Sequence, residues 1–362
     1  MNTEDLVSLP RRSEIARDQK AGGGWVAAVL PIHYPRALLR AFGYLPMEVW
    51  GPPNVDASLG AARLQGYICS IVRNALSFIE SGGLAAADLI LVPHACDSLQ
   101  GLASILIDFV QPEVPVVPLY LPRGVGPGER AYLAAELRAL SDRLGELSGR
   151  SPSDAELMVC VQREEEADQL LSALHQRRMT LPLSNLAFYR LVRSREFLPA
   201  EAFCERAQAA LAHTGSSPPE GIPILLSGIL PEPMRVLESI SEVGGLVAAD
   251  DLACGGRRLY LPGDGQDAFD RMAQRILGAP PGWASPLANR LEHLKQLVRT
   301  SGAQGVVFYV VKFCEPELID HPELQKGLQE AGVPALTVEI DLNDPLSHRT
   351  ITRLEAFLEM IS

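Results

Sequence analysis

Four cysteines are the residues whose type and placement could do chemistry in this chain: Cys69 in GYICSIVRN, Cys96 in LVPHACD, Cys254 in ADDLAC and Cys314 in VVKFCEPEL. Cys96, Cys254 and Cys314 each fall at or just past the carboxyl end of a predicted strand. Parallel sheets present their ligand sites at that edge. Cys69 belongs to a predicted helix or to the loop entering it. None of the six cysteines forms a CxxC pair, the usual spacing for structural zinc and for a redox dithiol. Single cysteines from separate loops can hold an iron–sulfur cluster, because the cluster itself supplies the rigid centre. The alternative is four buried apolar thiols. Cys160 and Cys204 sit among helix formers and read as core residues.

The elements that would position these thiols follow an alternating rhythm. GWVAAVLP (24–31) reads as a buried strand, YPRALLRAFGY as a helix, and MEVWG (47–51) as a strand. ASLGAARLQGYICSIVRNALSFIESGG reads as one long helix stopped at Gly82 and Gly83. DLILVPHACD (88–97), QGLASILIDFV and VPVVPLYLP (114–122) continue as strand, helix, strand. Such alternation predicts a parallel sheet with helices on both faces. RGVGPGER (123–130) lacks the Lys-Ser/Thr of a phosphate loop and reads as a linker. The stretch that follows has apolar residues at helical spacing, and Ser153 with Glu156 makes a capping-box signal.

After GSSPPEG (215–221) the rhythm returns. Strands are predicted at 222–230, 245–254, 305–314 and 334–341, with helices between them and TITRLEAFLEMI as a closing helix. The fold class is therefore α/β: two doubly wound parallel-sheet domains (1–125 and 219–362) separated by a helical middle region (126–218). Thiols contributed by both domains would meet in the cleft between them.

The chain has 362 residues and a net charge of -12, with 47% hydrophobic and 21% charged residues. That charge argues against a nucleic-acid groove or an anionic membrane surface. No apolar run reaches the roughly 20 residues that span a bilayer, and the polar start has no h-region. A cytoplasmic, reducing location with free thiols or metal ligands is the expectation.

GYICSIVRNALSFIESGG, LVPHACDSLQ, ADDLACGGRRLY, VVKFCEPEL and TRLEAFLEM, in this order, resemble the 2-hydroxyacyl-CoA dehydratase family, which also contains benzoyl-CoA reductase core subunits. The similarity runs from about residue 24 to the C-terminus. The resemblance implies a cysteine-ligated cluster between two α/β domains, of the [4Fe-4S] type, with Cys69, Cys96 and Cys314 as ligands. Cys254 is implied as a fourth ligand or a neighbouring thiol. It also implies low-potential electrons passed to an acyl-CoA or aromatic acyl-CoA thioester, a second subunit of similar fold, and a separate ATP-hydrolysing iron–sulfur activator. The chain has no Walker A motif. The alternative is an electron-transfer protein, double-cubane type included, that binds no CoA thioester.

Arg73 and Lys312 could offset the charge of thiolates and sulfide. Asp97 and Glu315 could cap the helices that begin after Cys96 and Cys314. His33 and His94, at the sheet edge, are candidate acids or bases. Two stretches depart from the family pattern: PRALLRA has Ala37 where relatives commonly carry Glu, and LSHRTITR has Ser347 and His348 where they often carry Gly-Gln.

Overall fold

The computed structural model describes residues 8–362 apart from 54, 214–216, 218, 266, 283 and 284. After helix α1 (Arg12–Ala21), the first sheet is built from β1 (Trp25–Val29), β2 (Tyr44–Glu48), β3 (Leu89–Pro93) and β4 (Val116–Leu119) in the order β2-β1-β3-β4. The second is built from β5 (Ile222–Gly228), β6 (Gly245–Leu252), β7 (Gly305–Val311) and β8 (Ala335–Ile340) in the order β6-β5-β7-β8. All pairings are parallel. The two sheets thus share one topology. In each, the strand order reverses between the first and third strands, β1 and β3 or β5 and β7, which opens a crevice at their carboxyl ends.

Both faces of each sheet are covered, as near-continuous apolar strands require. Ala27, Val29, Leu89 and Leu91 belong to one core and Val26, Ala28, Ile90 and Val92 to another. This second core is the larger. It takes one face of each sheet, with Val307, Tyr309 and Val311 from β7, and joins them through the middle region. There α6 (Pro127–Ser148), α7 (Asp154–Gln176), α8 (Asn185–Ser194) and α9 (Ala200–Ala212) follow one another. The capping box forms: Ser153 Oγ accepts from Glu156 N, and Glu156 Oε2 accepts from Ser153 N.

Two elements differ from expectation. The second strand comes earlier, at 44–48, and includes Pro46. As an edge strand it tolerates a residue with no N–H to donate. The long helix expected from residue 57 is two helices. The first, α3 (Ser58–Arg63), ends where Leu64 turns extended, and α4 (Ser70–Glu80) starts afresh after Cys69. The remaining helices are α2 (Arg36–Ala41), α5 (Asp97–Ile105), α10 (Arg235–Glu242), α11 (Ala268–Leu277), α12 (Leu287–Ser301), α13 (Glu315–Glu330) and α14 (His348–Ile361). Part of the expected GSSPPEG linker, residues 215, 216 and 218, lies outside the described residues. Among the described residues, no helix is long and apolar enough to cross a membrane.

Candidate metal centre

The break before α4 gives Cys69 its position. It is the N-cap residue of α4, as Cys96 is of α5 and Cys314 of α13. The first turn of a helix leaves backbone N–H groups without intrahelical partners, and the aligned peptides place about half a positive charge there. Three thiols at three such ends therefore face a field that favours thiolate. Cys96 and Cys314 occupy equivalent places, each after the third strand of its sheet. The expectation that Asp97 and Glu315 cap these helices is corrected: both are first-turn residues, and the cysteines hold the N-cap positions. Asp97 points outward, 3.8 Å from Arg123.

All three thiols line one cavity of about 300 Å³. Its walls come from loops at the carboxyl ends of both sheets: Pro31 and Ile32 after β1, Ala95 after β3, Ile229 after β5 and Ala253 after β6. Ile71, Val72 and Leu99 add apolar surface. A larger cavity of about 460 Å³ lies between α1 and the first sheet, shares Trp50 with the cysteine cavity, and contains no thiol.

Burial raises the Cys69 thiol to about 11, against the pull of the Val72 and Ile71 amides, and the Cys96 charge adds to the rise. Cys96 is raised by burial and opposed by the Leu99 and Ser98 amides. Cys314 is pushed well up by burial, then by Cys69, Glu317 and Cys96. Cys314 thus feels the charge of both other thiols. Among the described residues, no three His, Cys, Asp or Glu side chains converge closely enough to hold a single metal ion. Three thiols spread around one cavity, each at a helix N-terminus, fit a multi-iron cluster, whose irons need not share one point.

The thiols are held by contacts across the cleft. Gly51 has φ +66, and a Cβ on it would lie 2.1 Å from the Ile71 carbonyl oxygen, so only glycine lets α4 approach this closely. The loop after β8 grips the same helix. Ser70 Oγ accepts from Leu342 N at 3.1 Å. Arg73 pairs with Asp341 at 2.7 Å. Asn74 and Asn343 exchange two amide hydrogen bonds of 2.9 Å.

The other expected residues are placed differently. Cys254 is not brought to the other three. It follows β6, the edge strand, so the topology sends it away from the crevice, into a small cavity with Arg36, Arg195 and Tyr260. Arg73 does not line the cysteine cavity, although its charge favours the Cys69 thiolate. Lys312 is partly exposed, 3.9 Å from Asp344, and does not line it either. His33 is buried, with Nδ1 2.9 Å from the Tyr260 hydroxyl. Burial, Arg258 and Arg257 hold it well below the usual imidazole range. His94 stacks edge-on against Tyr120 at 4.6 Å, and burial lowers its pKa. Neither histidine lines the cysteine cavity.

Arg257, Arg290 and Glu317 do line it and were not foreseen, although the first and last stand inside the cysteine-bearing stretches. Glu317 accepts from Arg257 at 2.8 Å and Arg290 at 2.9 Å. Burial raises its pKa, but the two arginines outweigh that and hold it at about 2. The two departures have structural accounts. Ala37 is packed in the core outside the crevice, and Ser347 caps α14 by accepting from Thr350 N at 3.2 Å.

Comparison with known proteins decides the family. The family description "2-hydroxyglutaryl-CoA dehydratase, D-component" matches residues 31–361. The chain belongs to this family. It is 22% identical to the (R)-phenyllactyl-CoA dehydratase beta subunit of Clostridium sporogenes over 99% of this chain and 97% of that protein. The lactoyl-CoA dehydratase beta subunit of Anaerotignum propionicum is 24% identical, again over 99% and 97%. A benzoyl-CoA reductase subunit of Thauera aromatica is 26% identical, over 93% of each chain. This D-component family member is thus a subunit of a dehydratase or reductase type of enzyme, as the resemblance implied.

Proposed function

We propose that this chain is the iron–sulfur subunit of an acyl-CoA dehydratase or reductase, and that Cys69, Cys96 and Cys314 hold a [4Fe-4S] cluster. The observation that carries the reading is that these thiols, from both halves of the chain, line one cavity and each opens a helix. A cluster bound there supplies one-electron reduction at low potential. The three helix N-termini stabilise thiolate and sulfide charge. Arg257 and Arg290 contribute little to that task, since Glu317 and Asp251 neutralise them. Ile32, Ile71, Val72 and Leu99 limit water around the thiols.

In this reading the electrons go to an acyl-CoA thioester and arrive from a separate ATP-hydrolysing activator, in the cytoplasm. The relatives are themselves named as subunits, two of them beta subunits, which supports a second subunit beside this one. A relay that binds no thioester is the second reading. It is favoured by the placement of His33 and His94 outside the cavity lining, which leaves no titratable histidine among the described lining residues.

The test is iron and acid-labile sulfide in protein purified without oxygen, wild type beside Cys314→Ala. About four irons per chain, falling sharply in the variant, is expected for a cubane. Iron-free wild-type protein would overturn the reading. A change in the cluster's electron paramagnetic resonance on adding acyl-CoA thioesters supports the catalytic role; silence toward all of them supports the relay.

A further inference from the structure

On one wall of the cysteine cavity, four buried charges form a closed ring. Glu317 accepts from Arg257 and Arg290, and Asp251 accepts from the same two arginines, at 2.8 to 3.1 Å. None of the four is more than 5% exposed. Two guanidiniums face two carboxylates, so the ring carries no net charge. It also leaves none of its own buried polar side-chain atoms without a partner.

The arginines brace the loops that carry the site. Arg257 Nη2 donates to the Gly228 carbonyl at 2.8 Å, and Nε to the Asp251 carbonyl at 3.0 Å. It thus ties the ends of β5 and β6 together and, through Glu317, joins them to the first turn of α13, the helix that Cys314 caps. Ile229 and Ala253, just past those strand ends, line the cavity. Arg290 adds α12 to the same ring. A buried positive charge beside a redox group, however, stabilises the reduced and more negative form, and so raises its potential. Glu317 lines the cavity together with both arginines, and Asp251 stands behind them. The other charged lining residues among those described, Arg123 and Asp320, are opposite in sign. Their side chains are 73% and 28% exposed, so water screens them.

We propose that Glu317 is a redox-tuning residue. It cancels Arg257 and Arg290 at the cavity wall, so the two arginines brace the site without making a bound cluster easier to reduce. The inference rests on the cluster proposed above for Cys69, Cys96 and Cys314, and adds that this carboxylate helps to keep its potential low.

The test is a redox titration of the cluster, followed by electron paramagnetic resonance, in protein purified without oxygen and with iron counted in every sample. Glu317→Gln is expected to raise the midpoint and Arg290→Met to lower it. Each shift is expected to be about tenfold in the one-electron equilibrium, about 59 mV. Glu317→Gln combined with Arg290→Met removes one charge of each sign and is expected to return to the wild-type midpoint. Glu317→Asp keeps the charge on a shorter side chain, and is expected to hold the wild-type midpoint while losing thermal stability. Unmoved midpoints in iron-bound variants, or shifts of one sign in both single variants, would overturn the proposal. If Glu317→Gln fails to fold, Arg290→Met and the double variant still decide, because only the single variant leaves a net charge. Equal midpoints in those two would overturn the proposal. Iron-free wild-type protein would overturn the cluster assignment and this inference together, and the iron count tells the two failures apart.

Discussion

Glu48 at the end of β2 and Arg258 after β6 form a two-point ion pair across the seam between the halves of the chain, with oxygen–nitrogen distances of 2.6 and 2.7 Å. Both are buried. Tyr34 and Trp50 donate to the same carboxylate at 2.7 and 2.9 Å. Burial raises the Glu48 carboxyl, but Arg258 and Arg36 outweigh it and leave its pKa lowered. Trp50 also lines the cysteine cavity, so the clamp and the candidate centre share a wall.

Removing one partner of that clamp leaves the other charge buried and unpaired. Arg258→Met is expected to cost about 3–5 kcal/mol in chemical denaturation. Glu48→Gln together with Arg258→Met is expected to cost less than the two single losses combined. Additive losses would show that the pair is not coupled.

The four cysteines are expected to separate into two classes. Cys69→Ala, Cys96→Ala and Cys314→Ala lose most of the bound iron, while Cys254→Ala keeps it, because Cys254 lies in a different cavity. The cost of Cys254→Ala is confined to stability, about 1–2 kcal/mol for a small buried side chain. Iron analysis of the four variants checks this, and iron loss in Cys254→Ala would make it a ligand.

Gly51→Ala sets a side chain against the Ile71 carbonyl at a position of positive φ. A loss of about 2–4 kcal/mol is expected from strain and overpacking. Because α4 must move to make room, iron incorporation should fall too, although no thiol is changed. Wild-type iron content with reduced stability would place the helix shift elsewhere.

The loop after β8 is expected to matter in the same way. Asn343→Ala removes both amide hydrogen bonds to Asn74. A loss of about 1–3 kcal/mol follows from leaving the buried Asn74 Oδ1 without its donor, while Asn74 Nδ2 keeps the Pro52 carbonyl at 3.2 Å. Asn343→Gln should not restore it, since the longer side chain cannot keep the reciprocal geometry. Denaturation midpoints of the two variants measure this.

Acid should weaken the fold within a definite window. Glu164 and Glu317 are both held at about 2 in the folded chain, by Arg195 and Arg36 and by Arg257 and Arg290 respectively, against burial. Depressed folded values contribute stability that is fully present above the unfolded value, roughly 4.3, and is lost as pH falls toward 2. Denaturation curves between pH 5 and 2 (about that range, from the same values) should flatten in Glu317→Gln. An unchanged pH slope would remove Glu317 from the acid response.

The alternation of apolar strands and amphipathic helices determined the two parallel sheets, because a strand buried on both faces must be apolar along its length. It also placed Cys96 and Cys314 at strand ends, and the ordered cysteine stretches pointed to the family before any fold was in view. Tertiary structure decided which thiols meet. Cys254 reads like the others in sequence, yet strand order puts β6 at an edge and Cys254 away from the crevice. Cys69 read as part of a helix or of the loop entering it, and the fold chose the junction: it is an N-cap, since α3 stops at Arg63 and the chain must turn before α4. Nor could local pattern reveal the Glu48–Arg258 clamp or the ring of ion pairs around Glu317. Their partners stand up to 210 residues apart, and a buried charge reads in sequence like a surface one until packing removes its water.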